Sequence, residues 1–517
     1  MPIKLLDCTL RDGVYVNQWT FGYDNIKQIV SNLVASHIDF IELGFLKPCE
    51  YDKNKTLFNK AEDFNQFIHK KSKTIFLGMI TYGQYKSDDI PDYQPGMVDG
   101  WRIIFKPNEY KEALEYCKKI KDKGYKIFIN PMHVYNYTDK QLLEIIDKVN
   151  EIVPYGLSIV DTMGILRDKQ LLHVFDLFNY NLSPEIGICF HSHNNLQLSF
   201  SNAQALIETN SKRELIIDSS IRGMGRGAGN LCSELMITYL NDNYCKNYNL
   251  IPILKIVDEQ INKIFAISPW GYNLPYYLAA SLQVHPNYAS FFTDKASISV
   301  ESINEILSSI PDNKKSNFDE KLIQEQYIKY QENEVDDSKV LEKLKSDIAD
   351  KKILVIAPGK TITTEYEKIN DYIKQNNPFI ININFRPQDF MVNNVFIGNA
   401  RRFSEQTNLK DVIVTSNIKT NKVLQLNYGS YLNNSEMADN SALMLLKVLV
   451  KIGIKEVLFA GLDGFSNDKN NYFSSEMINN AKLGEEFDKR NDIMSAILKK
   501  LSRQINIKFI TTSLYEK

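Results

Sequence analysis

The sequence predicts an α/β protein built from an N-terminal (β/α)8 (TIM) barrel with a helical extension and a C-terminal Rossmann-like open sheet. Three observations carry this prediction. Short β-rich runs recur at crossover spacing through about the first 265 residues, separated by amphipathic stretches. These runs lack a clean in/out alternation, as expected of parallel strands buried on both faces. After a strand-free middle segment, the alternation starts afresh at Ile353. A chain of 517 residues is also too long for one hydrophobic core.

In chain order, the barrel strands are expected at Ile3–Cys8, Phe40–Phe45, Thr74–Ile80, Trp101–Phe105, Tyr125–Asn130, Leu157–Asp161, Gly187–His193 and Leu215–Ser219. Helical patterns lie between them. Asn25–Ser36 puts Ile26, Ile29, Val30 and Leu33 on one face, and Glu109–Lys123 and Asp139–Ile152 repeat the pattern. Eight units within roughly 240 residues suit a closed barrel better than an open sheet. The barrel is therefore assigned to residues 1–265.

Residues 266–335 read as a helical extension, with helices at Tyr276–Gln283, Val300–Ser309 and Glu320–Tyr330. Its start is dense in aromatic residues, among them Trp270, Tyr272, Tyr276 and Tyr277. Residues 336–352 are charged, poor in aromatics and read as a partly helical linker. In residues 353–517, strands are expected at Ile353–Ala357, Phe379–Phe385, Asn394–Ile397, Val412–Thr415, Val423–Leu426, Val457–Ala460 and Ile507–Thr511. Helices are expected at Glu365–Gln375, Ser441–Ile452 and Glu485–Gln504. The turn Ala357–Thr361 lies between strand and helix, where phosphate often binds, and Asp463 ends another strand at the same edge. Gly359 and Asp463 thus mark a candidate ligand loop, with a plain turn as the competing reading.

Composition excludes several classes. A formal net charge of −2 leaves no electrostatic footprint for nucleic acid. No apolar run approaches the ~20 residues that span a bilayer. The N-terminus enters a strand directly and lacks a signal-peptide layout. Six cysteines occur without CxxC spacing, and Cys8 and Cys189 sit in apolar runs as reduced thiols do. A cytoplasmic protein is expected.

Polar residues fall at the C-terminal ends of the predicted barrel strands, where this fold places active sites. They include Arg11 and Asp12, Glu42, Asn130, Asp161 and Thr162, His191 and His193, and Asp218. His191 and His193 are two apart on a strand, so their side chains share a face. Two converging imidazoles together with the hard oxygen of Asp12 form a divalent-metal donor set. Mixed N/O donors favour Mn2+ or Mg2+, with Co2+, Fe2+ and Zn2+ also compatible. Glu42 is the natural partner for the Arg11 guanidinium, and Gly13 is expected to turn the chain away. The stretch Arg222–Asn230 is glycine-rich and opens a helix at Leu231, a setting that favours an anion. A dinucleotide fingerprint is rejected there, because a last barrel strand supplies no βαβ unit.

DCTLRDG at Asp7–Gly13, Glu42 in IELGF, HSHNN at His191–Asn195 and GMGRGAGN at Gly223–Asn230 together resemble the DRE-TIM metallolyase (HMG-CoA-lyase-like) superfamily. HSHNN followed by LQL is most similar to its 4-hydroxy-2-oxovalerate aldolase branch. The resemblance implies Asp12, His191 and His193 as metal ligands, Asn230 as a further ligand and Arg11 as the group that stabilises an enolate oxygen. It departs at Tyr15, where those aldolases carry a histidine that moves a proton. Tyr272 and Tyr276, in the segment after the barrel, are further candidate acids. Thr162, Asn195, Arg222 and Arg226 are candidate substrate contacts. The two arginines imply a substrate with extra negative charge, such as a phosphate or sugar acid.

The implied activity is that of a divalent-metal-dependent aldolase joining or cleaving a 4-hydroxy-2-oxo acid through a pyruvate-type enolate, with surface-sugar assembly as a setting. Its small-molecule partners would be a 2-oxo acid and an aldehyde, and it could form a homo-oligomer. An acyl-CoA Claisen enzyme of the same superfamily is one alternative. The other is a weakly catalytic barrel beside a C-terminal domain that binds a nucleotide or nucleotide sugar, a domain type the C-terminal part resembles at fold level.

Overall fold

The computed structural model describes residues 2–293, 298–387, 391–433, 437, 439–466, 471–473 and 485–516. They form two compact units, one of Met1–Ser290 with Asp312–Phe318 and the other of Phe291–Pro311 with Asp319–Lys517.

The first unit contains the barrel. Its strands are β1 (Ile3–Asp7), β2 (Phe40–Leu46), β3 (Ile75–Thr81), β4 (Gly100–Phe105), β5 (Lys126–Pro131), β6 (Gly156–Asp161), β7 (Gly187–Ser192) and β8 (Leu215–Ser219). Every neighbouring pair is parallel, and β1 pairs with both β2 and β8, which closes the sheet. The expected helices appear as Tyr23–Ala35, Tyr110–Asp122 and Asp139–Ile152.

Strand periodicity explains how the barrel interior divides into layers. Leu6, Phe40, Leu77, Phe128, Cys189 and Ile216 cluster as an apolar layer inside the barrel. Two residues further along their strands stand Glu42, Asn130, His191 and Asp218, on the same inward face and nearer the C-terminal ends. All four are buried. A second, larger apolar shell packs the outer faces of the strands against the helices, with Leu33, Ile41, Ile103, Ile146, Phe175 and Leu240 among its members. The apolar layer thus forms a floor beneath a polar one.

The second unit holds an open sheet of seven parallel strands: β9 (Ile353–Ile356), β10 (Phe379–Ile383), β11 (Asn394–Ile397), β12 (Val412–Thr415), β13 (Leu424–Leu426), β14 (Glu456–Ala460) and β15 (Asn506–Phe509). Their order is β13-β12-β11-β10-β9-β14-β15, so the winding direction reverses beside β9. Four strands lie on one side of that switch, against two in the 3-2-1-4-5-6 order of the dinucleotide fold.

Two expected boundaries change. Residues 338–348, inside the expected linker, form a helix whose Val340, Leu344 and Ile348 enter the core of the second unit. A stripe at every fourth position suffices to dock a helix, whatever the charge of its other faces. The expected helical extension is also divided: Leu274–Ser281 belongs to the first unit, and Val300–Ser308 and Glu320–Gln331 to the second.

Candidate metal centre

β1 ends in a tight helical turn, Thr9–Asp12, that presents Arg11 and Asp12 above the barrel. The Asp7 carboxylate fixes this turn by accepting from the Thr9 N–H and hydroxyl, both at 3.0 Å, and from the Ser233 hydroxyl at 3.1 Å. Thr9 Oγ1 in turn accepts from the Ile221 N–H at 2.8 Å, joining the first strand's loop to the last strand's. Gly13 has a φ of −61°, an ordinary helical value, so it does not serve the turn as expected. Its role is steric, because a Cβ would come within 2.8 Å of Met224 Sδ.

Asp12, His191 and His193 are all buried, and one ligand atom from each lies within 4.8 Å of the others. The two imidazoles stand nearly perpendicular, at 86°, with centroids 5.2 Å apart. His191 Nε2 is 3.8 Å from Asp12 Oδ2, while its Nδ1 lies 3.1 Å from Asp218 Oδ2. Burial pushes the His193 imidazole down to about 3, which leaves it neutral with a lone pair free. Burial alone would raise the Asp12 carboxyl, but Arg11, His193 and His191 outweigh it and hold Asp12 well below the usual carboxylate range.

Beneath the triad lies a buried ion network. Arg11 Nε donates to Glu42 Oε2 at 2.7 Å and its Nη1 pairs with Asp12. Arg102 Nη1 donates to the same Glu42 oxygen at 3.1 Å, and its Nη2 to Asp218 Oδ2 at 2.5 Å. With its amide turned to face Arg102, Asn130 accepts from Nη2 at 2.9 Å. Two guanidiniums are thus set against three carboxylates, a net single negative charge in a buried site. Asn230 Nδ2 donates to Asp12, whereas Asn230 Oδ1 is buried with no donor among the described residues. A divalent cation fits this site on three counts: the excess negative charge, the neutral His193 imidazole and the unused amide oxygen of Asn230.

The other expected site residues divide into those at the mouth and those that hold its walls. Tyr15 is 46% exposed, and the Arg226 guanidinium lies over its ring at 4.3 Å. Tyr276 donates to or accepts from Ser290 Oγ at 3.0 Å and packs beside Gly227 of the glycine-rich loop. Tyr272, by contrast, is 62% exposed. Glu42 is wholly buried and acts on Arg11 and Arg102, so it positions them rather than meeting a substrate. Asn195 bridges two loops, donating to Met163 O at 2.8 Å and accepting from the Ala228 N–H at 2.9 Å. Thr162 accepts from the His133 N–H at 2.8 Å. Both side chains thus carry hydrogen bonds that tie neighbouring loops together.

Arg222 is also engaged within the chain, with its guanidinium 3.7 Å over the Phe265 ring and Nη1 donating to Asn262. The helix after the glycine-rich loop begins at Ser233, and its first-turn Glu234 carboxylate accepts from the Arg222 N–H at 3.0 Å. An internal carboxylate therefore fills the anion position expected there. The same happens in the second unit, where Asp463 accepts from the Thr361 N–H at 2.9 Å and from its hydroxyl. Gly359 is needed because Asp463 approaches so closely that a Cβ would lie 2.5 Å from its Cγ. The candidate ligand loop is closed by its own acid.

Sequence reasoning missed Arg102 altogether and gave Asp218 no role. The signal was present, since an arginine inside Trp101–Phe105 interrupts an apolar strand at an inward-facing position. His133 and Tyr135, linked at 2.7 Å through Nδ1 and the hydroxyl, were missed as well.

These features define a parallel barrel with a buried Asp/His/His centre at the C-terminal ends of its strands. The HMGL-like family model matches residues 106–258. The chain is 20% identical over 288 residues to an oxaloacetate decarboxylase of Mycobacterium tuberculosis, covering 54% of this chain and 84% of that protein. It is 24% identical over 266 residues to a 4-hydroxy-2-oxovalerate aldolase of Carboxydothermus hydrogenoformans, covering 50% and 77%. Among solved structures, the N-terminal domain of a candidate aldolase from Bacteroides vulgatus superposes with a TM-score of 0.50 at 25% identity, covering 57% of this chain and 97% of that one. Among the described residues, no helix is long and apolar enough to cross a membrane.

Proposed function

We propose that the barrel is a divalent-metal-dependent carbon–carbon lyase that forms or cleaves a 4-hydroxy-2-oxo acid. One juxtaposition carries this reading. The three convergent ligands Asp12, His191 and His193 adjoin Arg11, whose Nη2 is buried without a partner among the described residues. A divalent ion held by the triad, Mn2+ or Mg2+ on the donor set, would supply Lewis acidity at the substrate's ketone oxygen.

The chain's own residues then supply the rest. Glu42 and Asp12 hold the Arg11 guanidinium in place, so its unused Nη2 N–H points a fixed donor at an oxygen gaining negative charge. In the cleavage direction, a base takes the proton of the 4-hydroxyl, the C3–C4 bond breaks, the aldehyde leaves and the electron pair passes to the 2-oxo acid as an enolate. We assign that transfer to the Tyr15 hydroxyl, which takes the substrate proton as it passes its own to solvent, with Arg226 over its ring. The two relatives named above, an oxaloacetate decarboxylase and a 4-hydroxy-2-oxovalerate aldolase, support a 2-oxo acid substrate.

The test is metal content together with pyruvate release, coupled to lactate dehydrogenase, for Asp12→Ala and His193→Ala. Both variants should lose bound Mn2+ and turnover of 4-hydroxy-2-oxovalerate. Full metal occupancy and turnover in Asp12→Ala would overturn the reading.

A further inference from the structure

Apart from the triad, a pocket of about 370 Å3 lies between the loops that follow β7 and β8. None of Asp12, His191 and His193 lines it. Its volume is that of a small-molecule site, and the loops after the seventh and eighth strands are where barrels of this kind hold phosphate. Three aromatic side chains, Phe200, Phe265 and Trp270, line it, and Leu235 adds an exposed apolar surface.

Three polar features converge on this pocket. Arg222 lines it as a cation held flat against Phe265 at 3.7 Å, and Trp270 is fixed by its Nε1 donating to Arg222 O at 3.0 Å. Among the described residues, only Nη1 of the guanidinium has a side-chain acceptor, Asn262, which leaves the rest of the fork for a ligand. The ten-residue helix Ser199–Glu208 begins at the pocket wall. The Ser199 N–H is taken by Asn194 Oδ1 at 3.2 Å, but the Ser199 hydroxyl is not taken. Ser199 is 1% exposed, lines the pocket, and its Oγ has no partner among the described residues. A buried hydroxyl without a partner carries a desolvation cost that a ligand oxygen would remove.

We propose that this pocket binds a small molecule carrying an oxyanion, phosphoryl or carboxylate, on a flat apolar body. The oxyanion meets Arg222, the Ser199 hydroxyl and the positive end of the helix. The flat body lies among Phe200, Phe265 and Trp270, where stacking adds to area burial. The pocket adjoins the metal centre through Asn230, which lines it, but the groups that would meet the oxyanion, Arg222 and Ser199, are not among the residues that would hold the metal.

The experiment titrates phenyl phosphate, benzoate and phenol into the full-length, metal-loaded protein and follows tryptophan fluorescence and heat. Phenyl phosphate or benzoate should saturate at least tenfold more tightly than phenol, and the tighter of the two identifies the oxyanion. Arg222→Ala should weaken that binding tenfold or more, and Ser199→Ala severalfold, with Trp270→Phe removing most of the fluorescence change. Ser199→Ala removes one buried hydroxyl at the pocket wall and keeps a residue suited to the first helical turn, so it keeps the test open if Arg222→Ala misfolds. Equal binding of phenol would overturn the proposal. So would unchanged binding in Ser199→Ala together with Arg222→Ala, or loss of binding in Asp12→Ala, which would place the ligand at the metal centre instead.

Discussion

His191 Nδ1 hydrogen-bonds Asp218 Oδ2 at 3.1 Å, and this turns Nε2 toward Asp12, 3.8 Å away. A carboxylate behind a ligating imidazole fixes the tautomer and raises its basicity, and losing one typically costs ten- to a hundredfold in metal affinity. Asp218→Ala should therefore weaken Mn2+ binding by about that factor, measured by competition with a chelator. Unchanged affinity would reduce Asp218 to a partner of Arg102 alone.

Arg102 joins Glu42 to Asp218 while being wholly buried itself. Replacing it by methionine fills similar volume but leaves buried Asp218 without its guanidinium and Glu42 with Arg11 alone. Breaking a buried pair from one side costs roughly 3–5 kcal/mol. Arg102→Met should lower the stability of the barrel unit by about that amount in urea unfolding. A loss under about 1 kcal/mol would mean that water or a proton compensates.

The barrel, the triad and the seven strands of the second sheet follow from local patterns: runs of β-rich residues, a period of two, and polar residues at strand ends. The ligands were accessible to that reasoning because His191 and His193 follow the inward period that begins at Cys189. What escaped it depends on distance in the chain. Nothing near Asp463 indicates that its carboxylate reaches Thr361, 102 residues away. Tyr272 and Tyr276 are four residues apart in sequence, and what distinguishes Tyr276 is its packing beside Gly227 and its bond to Ser290 Oγ. The helix at 338–348 looked like a linker because its charged faces outnumber the narrow stripe of Val340, Leu344 and Ile348 that docks it.

Tyr15 and Arg226 face each other at the mouth at 4.3 Å. Tyr15→Phe keeps the ring under the guanidinium and removes only the hydroxyl. If that hydroxyl moves the proton, kcat should fall by about 10²- to 10⁴-fold while Mn2+ content stays constant. Arg226→Ala removes the cation instead, and its effect should be larger on anionic aldehydes than on acetaldehyde. A Tyr15→Phe enzyme with wild-type kcat would assign the proton to water.

Asp7 supports the turn that carries Arg11 and Asp12, yet it titrates in an unusual range. Burial pushes its carboxyl up to about 7, against the three hydrogen bonds donated by Thr9 and Ser233. A raised folded-state value means that the native chain holds a proton the unfolded chain has already released between about pH 4 and 7. That contribution to stability is complete below pH 4 and is lost as pH rises through 7, at up to about 1.4 kcal/mol per pH unit. Asp7→Asn removes the titration while keeping an acceptor for the Thr9 N–H. The melting temperature of Asp7→Asn relative to wild type should therefore rise steadily between pH 5 and pH 7.5. A difference that stays flat across that range would show that the three donors hold Asp7 ionised throughout.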